Sequence, residues 1–346
     1  MDRDDGVNDI ILHRIASQRV EEGRLSDIIS EGANALSRRI RRRDISCREV
    51  MALTLDRIAE HDRMYNAVPI LRPRGELMAE AAAYDEELAH GQWRGWLHGI
   101  PQAIKDLAHA KGIRTTWGSP IFKDFVASED SIHVARVRAA GAIIIGKTNT
   151  PEFGLGSHSY NPVHGVTRDA HDPKLAGGGS SGGAAVALAL GYLAVADGSD
   201  MGGSLRNPAG WNGVFGFRPS YGRVPQTSVD DVYMGQLSTD GPMGVTVEDV
   251  AMLLEIQAGY DPRTPRSAQA RIAVGDREFA AAHRPGHLPR ERRSYLLDAR
   301  SRRVVRSLRS ACLAIGATLR LPSRMDLAQG NRWHDDGFLS PLDGDR

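Results

Sequence analysis

The residues best suited to chemistry lie in residues 177–208, GGGSSGGAAVALALGYLAVADGSDMGGSLRNP. Ser180 and Ser204 sit in two glycine-dense turns, separated by a helix-length apolar segment. Glycine lacks a Cβ and admits backbone shapes closed to other residues. Two such turns can aim backbone N–H groups at a reacting atom beside a hydroxyl nucleophile. A serine hydroxyl needs a base to take its proton, and none of the 12 histidines is singled out by its setting. Lys105 ends the apolar run IPQAI at 100–104. If that run buries it, desolvation lowers its pKa and leaves a neutral amine, a proton loss arginine cannot undergo. Lys105 then draws a proton through Ser180 from Ser204 and returns it to a departing amine. The N–H groups of Met201, Gly202, Gly203 and Ser204 are the expected donors to the tetrahedral oxygen, each well-placed donor being worth roughly 3 kcal/mol. The chemistry such a set suits is amide cleavage. Taken singly, each feature has a plainer reading: a glycine-rich turn with a serine is mostly just a turn, and a lysine after an apolar run mostly a strand-end surface residue.

These side chains need elements to hold them. IPQAI reads as a strand leading into Lys105, and LAVAD (193–197) as a strand running into the turn before Ser204. Between Lys105 and Ser180 come a helix over 131–140 and the β-branched strand AIIIG over 142–146. Strands alternating with helices predict an α/β sheet faced by helices. Upstream, residues 1–45 read as polar helix ending in the basic run Arg38 to Arg43, a solvated face. Ser46 and Glu49 form a capping box; the helix it starts carries Val50, Leu53 and Ile58 inward and ends near His61. A further helix covers 76–90, and Thr246 begins another, TVEDVAMLLEIQAG. From residue 261 onward there are 17 arginines and no lysine, with an amphipathic helix expected only over 302–317.

Composition narrows the classes. The chain has 346 residues with 41% hydrophobic and 25% charged content, as in ordinary globular proteins. A net charge of +1 gives no sequence-wide pull toward nucleic acid or anionic membrane. Cys47 and Cys312 make neither a disulfide framework nor a metal-ligand spacing. The N-terminus is acidic with no long apolar core, unlike a secretory signal, and no apolar run nears the roughly 20 residues that span a bilayer. A cytoplasmic setting is expected. Two motifs match by letter only. Gly141 to Thr148 fits a phosphate loop, but its middle residues AIII prefer a strand and Pro151 follows closely. Residues 179–183 fit the GxSxG nucleophile elbow, but a loop, DPKLAGG, precedes them where a strand is needed.

At these residues the sequence resembles the amidase signature family, serine hydrolases with a Ser–cis-Ser–Lys triad. The resemblance rests on GIPQAIKD around Lys105, GAIIIGKTNTPEFGLGS at 141–157, GGGSSGGAA at 177–185 and DGSDMGGSLRNPAGWNGVFGFRPSYGRVP at 197–225, and covers about 30 to 260. It implies a mixed twisted β-sheet covered by helices on both faces, incomplete at the C-terminus. It also implies Lys105 as base, Ser180 as bridging serine, Ser204 as acyl-forming nucleophile and a cis peptide between Gly179 and Ser180. Asp200 and Arg206 would brace the nucleophile turn and Ser181 give structural support, with no metal or cofactor. Expected organisation is a helical segment over 1–75, the signature core over 76–260 and an Arg-rich divergent segment over 261–346. The expected partner is a small-molecule amide, without nucleic acid or membrane, and a homo-oligomer stays open. Two alternatives stay open beside a stand-alone amidase: a glutaminase-like subunit of a tRNA-dependent amidotransferase acting with a partner, and an inactive truncated remnant.

Overall fold

The computed structural model describes residues 28–226, 237–264 and 267, all within one compact unit, Met1–Val274. The helix expected over 302–317 lies outside the described residues. Helix α1 (Ala33–Arg42) buries Ala33, Leu36, Ser37 and Ile40 and leaves Arg38, Arg41 and Arg42 exposed. Helix α2 (Cys47–Tyr65) opens on the expected capping box: the Glu49 N–H donates to Ser46 Oγ at 3.1 Å and the Ser46 N–H to Glu49 Oε2 at 2.8 Å. It runs past His61 to Tyr65, where Asn66 takes a left-handed φ of 54° and stops it. Its buried stripe is Cys47, Val50, Met51, Thr54, Leu55 and Ile58. Leu53 is half-buried at the edge of that stripe and packs against the core as expected.

Strand β1 (Ile70–Leu71), helix α3 (Arg74–Ala89), strand β2 (Pro101–Lys105), helix α4 (Ile132–Ala139) and strand β3 (Ile143–Thr148) follow. The region 1–75 is therefore not helical throughout: Ile70 and Leu71 pair antiparallel with Lys147 and Gly146. Gly146 permits that approach, since a Cβ there would lie 1.9 Å from the Ile70 carbonyl oxygen. Strand β2 runs parallel to β3, giving the sheet order β1-β3-β2. Every residue of β2 and β3 is buried, as expected for strands covered on both sides. The stretch 143–148 is thus strand, and the letter match to a phosphate loop has no loop behind it.

A short ribbon, β4 (Tyr160–Asn161) with β5 (Gly165–Val166), precedes helix α5 (Gly182–Ala189). Apolar all round, α5 is buried over Gly182 to Leu188. Strand β6 (Val195–Asp200), helix α6 (Arg206–Asn212), strand β7 (Phe215–Gly216), strand β8 (Thr239–Gly244) and helix α7 (Val247–Gln257) complete the described chain. Antiparallel pairing gives the order β6-β8-β7. The expected strand 193–197 is shifted: β6 starts at Val195 and continues through Gly-Ser-Asp. Those residues favour strands poorly on their own, and pairing from Val195↔Gly244 to Asp200↔Thr239 holds them extended. The fold is α/β with mixed strand pairing, and β2 and β6 bring their C-terminal ends to one place.

Candidate active site

Lys105 closes β2, and its side chain is 1% exposed. Its Nζ lies 2.8 Å from Ser180 Oγ, 2.8 Å from Ser181 Oγ and 3.0 Å from Ser199 Oγ. The plain reading of a surface lysine does not survive that burial. Removing an amine from water disfavours its charged form, and burial brings Lys105 down to about 7 against the opposing pull of Asp197, Asp240 and Asp200. Ser180 and Ser181 stand at the N-terminus of α5, whose partial positive charge further disfavours an ammonium.

The Ser180 turn is held from several sides. The Gly179–Ser180 peptide is cis. Ser159 Oγ donates to the Ser180 carbonyl at 3.2 Å and accepts from the Gly182 N–H at 3.0 Å. Gly179 is needed there, because a Cβ would meet the His158 and Ser157 backbone within 3 Å. Ser181 does more than support the turn. It accepts from Lys105 and donates to the Ser199 carbonyl at 3.2 Å.

Ser204 reaches the site through its backbone: its carbonyl accepts the Ser181 N–H at 3.1 Å. Its side chain is partly exposed, and no hydrogen bond joins its hydroxyl to Ser180 among the described residues. Gly203 has φ +130°, and its N–H donates to Asp200 Oδ1 at 2.8 Å. That N–H is therefore committed to the turn. The N–H groups of Met201, Gly202 and Ser204 have no hydrogen-bond partner among the described residues. Asp200 also accepts from the Leu205 N–H at 3.1 Å, from Arg206 Nε at 3.0 Å and Nη2 at 3.1 Å, and from Arg218 Nη1 at 2.7 Å. Burial opposes its ionisation, but the two guanidinium groups and two N–H donors hold its carboxyl well below the usual range.

The structure adds residues the sequence did not single out. Ser199 is a direct partner of Lys105, and it shares a face of β6 with Asp197, whose Oδ1 accepts the Lys105 backbone N–H at 3.0 Å. Period-two alternation along β6 carries that signal, but only once the strand is known to extend through Asp200. Arg218 comes from the loop after β7, with no spacing that points to Asp200. Among the described residues no group of three or more His, Cys, Asp or Glu side chains could hold a metal ion.

The family model described as Amidase matches residues 49–320. Two glutamyl-tRNA(Gln) amidotransferase A subunits are similar in sequence. That of Bdellovibrio bacteriovorus is 36% identical over 255 residues, covering 74% of this chain and 51% of its own. That of Thermosynechococcus vestitus is 40% identical over 238 residues, covering 68% and 49%. Among solved structures, a bacterial aryl acylamidase of the amidase signature family aligns with a TM-score of 0.66 at 34% identity, covering 70% of this chain and 50% of that one. The peptide amidase of Stenotrophomonas maltophilia aligns with a TM-score of 0.64 at 33% identity, covering 71% and 51%. The chain spans about half the length of the curated relatives it matches.

Proposed function

Since this chain belongs to the amidase signature family, we propose that it hydrolyses a carboxylic amide to carboxylate and ammonia or amine through an acyl group on Ser204. The observation that carries the reading is a buried Lys105 amine 2.8 Å from Ser180 Oγ. The Ser181 proton goes to the Ser199 carbonyl, so Ser181 Oγ takes one N–H of a neutral Lys105 amine. Ser199 Oγ takes the other. The lone pair is left for the Ser180 proton, and Ser180 Oγ becomes the acceptor for the proton of Ser204. The Ser204–Ser180 contact closes when substrate is seated, as catalytic hydrogen bonds commonly tighten only in the complex. Ser204 Oγ attacks the amide carbon, the N–H groups of Met201, Gly202 and Ser204 receive the oxyanion, and the proton returns along the relay to the leaving nitrogen. Water then repeats the cycle on the acyl group.

A serine-reactive fluorophosphonate, followed by mass spectrometry, tests this on the purified chain alongside a panel of plain amides. Labelling at Ser204 with amide turnover is expected; Ser204→Ala loses both and keeps the wild-type melting transition. Cooperatively folded protein that takes no label and turns over no amide would overturn the reading of a stand-alone amidase.

A second reading has its own support: the amidotransferase A subunits reach 36% and 40% identity, above the 34% of the aryl acylamidase. In it, the chain releases ammonia from glutamine for a partner protein. Turnover of simple amides by the isolated chain favours the first reading; glutamine hydrolysis that needs an added partner favours the second.

A further inference from the structure

Behind Lys105 lies a buried cluster of charged groups with no direct part in the relay. His133 on α4 is 1% exposed. Its Nε2 is 3.3 Å from Asp197 Oδ2, and its Nδ1 is 3.4 Å from Asp240 Oδ2. The other oxygen of Asp197 accepts the Lys105 backbone N–H at 3.0 Å. A line of contacts therefore runs from Asp240 on β8, through His133 and Asp197, to the peptide of Lys105.

We propose that His133 is a positioning residue for Lys105, holding Asp197 against the Lys105 backbone and offsetting the Asp197 and Asp240 carboxylates that face the amine. The role rests on Lys105 serving as the base. Three carboxylates act on that amine: Asp197, Asp240 and Asp200. Asp200 is matched by Arg206 and Arg218. Helix α5 brings no charged side chain; Lys147 on β3, in register with Ile104 rather than Lys105, lies 3.9 Å from Asp106 and also interacts with Asp197 over a longer range. Of the other charged groups on α4, Arg136 is bonded to the carbonyls of Gln257 and Ala258, and Arg138 to Asp130. On α7, packed beside α4, Glu248 and Asp249 are bonded to Asn34. Among the described residues, His133 is the cationic side chain in direct contact with both Asp197 and Asp240. A buried carboxylate without a partner is strongly disfavoured, and it stabilises the nearest ammonium. Burial lowers the His133 pKa, but Asp240 and Asp197 outweigh it and raise the group to about 10, so the imidazolium persists across the range in which Lys105 titrates.

The test reads Lys105 directly. The sequence has five lysines, Lys105, Lys111, Lys123, Lys147 and Lys174, so lysine labelled with 13C at Cε gives a resolvable NMR titration, with Lys105 assigned from the signal missing in Lys105→Arg. His133→Gln should move the Lys105 midpoint upward by about one pH unit or more. Asp240→Asn should move it downward, and the double variant should return it toward wild type. Asp240→Asn keeps the test available should His133→Gln fail to fold. Midpoints unmoved in the folded variants would overturn the proposal. The half-maximal pH of amide turnover should follow the same order. If midpoints move but wild type turns over no amide at any pH, the amidase reading fails and the electrostatic link stands. If turnover proceeds with fixed midpoints, the link fails and the amidase reading stands.

Discussion

At Lys105, three hydroxyls surround one nitrogen, and the count of protons decides what that nitrogen can do. An ammonium would donate to all three and accept nothing. A neutral amine donates to two and keeps a lone pair for Ser180. With its pKa near about 7, the neutral fraction grows as pH rises through neutrality, and so does the supply of base. The rate of amide hydrolysis should therefore climb from about pH 6 to a plateau above about pH 8. Lys105→Ala should lower kcat by about 100-fold or more and flatten that climb; steady-state rates across the pH range check both. Near-native turnover in that variant would rule out the proposed base. Lys105 was legible in the sequence because lysine is rare here and this one follows an apolar run. Ser199 was not, because nothing local shows that its side chain turns toward β2.

Helix α5 and strand β6 set the spacing of the two serine turns, and small residues make that possible. Gly183 packs α5 against the segment after β3: a Cβ there would lie 2.3 Å from the Asn149 N and 2.6 Å from the Ala67 carbonyl oxygen. Both neighbours are backbone and cannot swing aside. Gly183→Ala should push α5 away, carrying Ser180 and Ser181 off Lys105. The expected cost is roughly 1–3 kcal/mol of stability, seen as a lower urea midpoint, together with slower fluorophosphonate labelling of Ser204. A variant as stable and as reactive as wild type would show that the packing yields more readily than backbone contacts allow. The helix and strand identities were readable from periodicity and β-branched runs. Their ends were not: β6 extends through a poor strand sequence because β8 supplies its partners, and α2 continues to the left-handed Asn66.

For the whole molecule, burying two lysines ties stability to pH. Lys147 is fully buried between the Ala108 carbonyl, Thr115 Oγ1 at 3.2 Å and Asp106 Oδ1 at 3.9 Å. Burial lowers it to about 8, with Asp106 opposing. Unfolded, it titrates near about 10.4, so between those values the unfolded chain binds more protons than the folded one. The Lys147 contribution to stability accordingly rises with pH across that window and is flat below it. Lys147→Met should remove this rise: wild-type minus variant stability in urea unfolding should increase from pH 8 to pH 10 by up to about 1.4 kcal/mol per pH unit. A difference that does not change with pH would mean that Lys147 keeps its proton when folded. By itself, the sequence determined the α/β class and the order of the main elements, and it nominated Lys105, Ser180 and Ser204 as a set, because glycine turns, apolar periodicity and a scarce lysine are local signals. Only the tertiary structure decided that Lys105 is dry, that Ser181 and Ser199 share its protons, that Gly203 spends its N–H on Asp200, and that His133 lies between two carboxylates. Those facts depend on which strand pairs with which, and strand pairing joins residues whose separation along the chain carries no signal of their meeting.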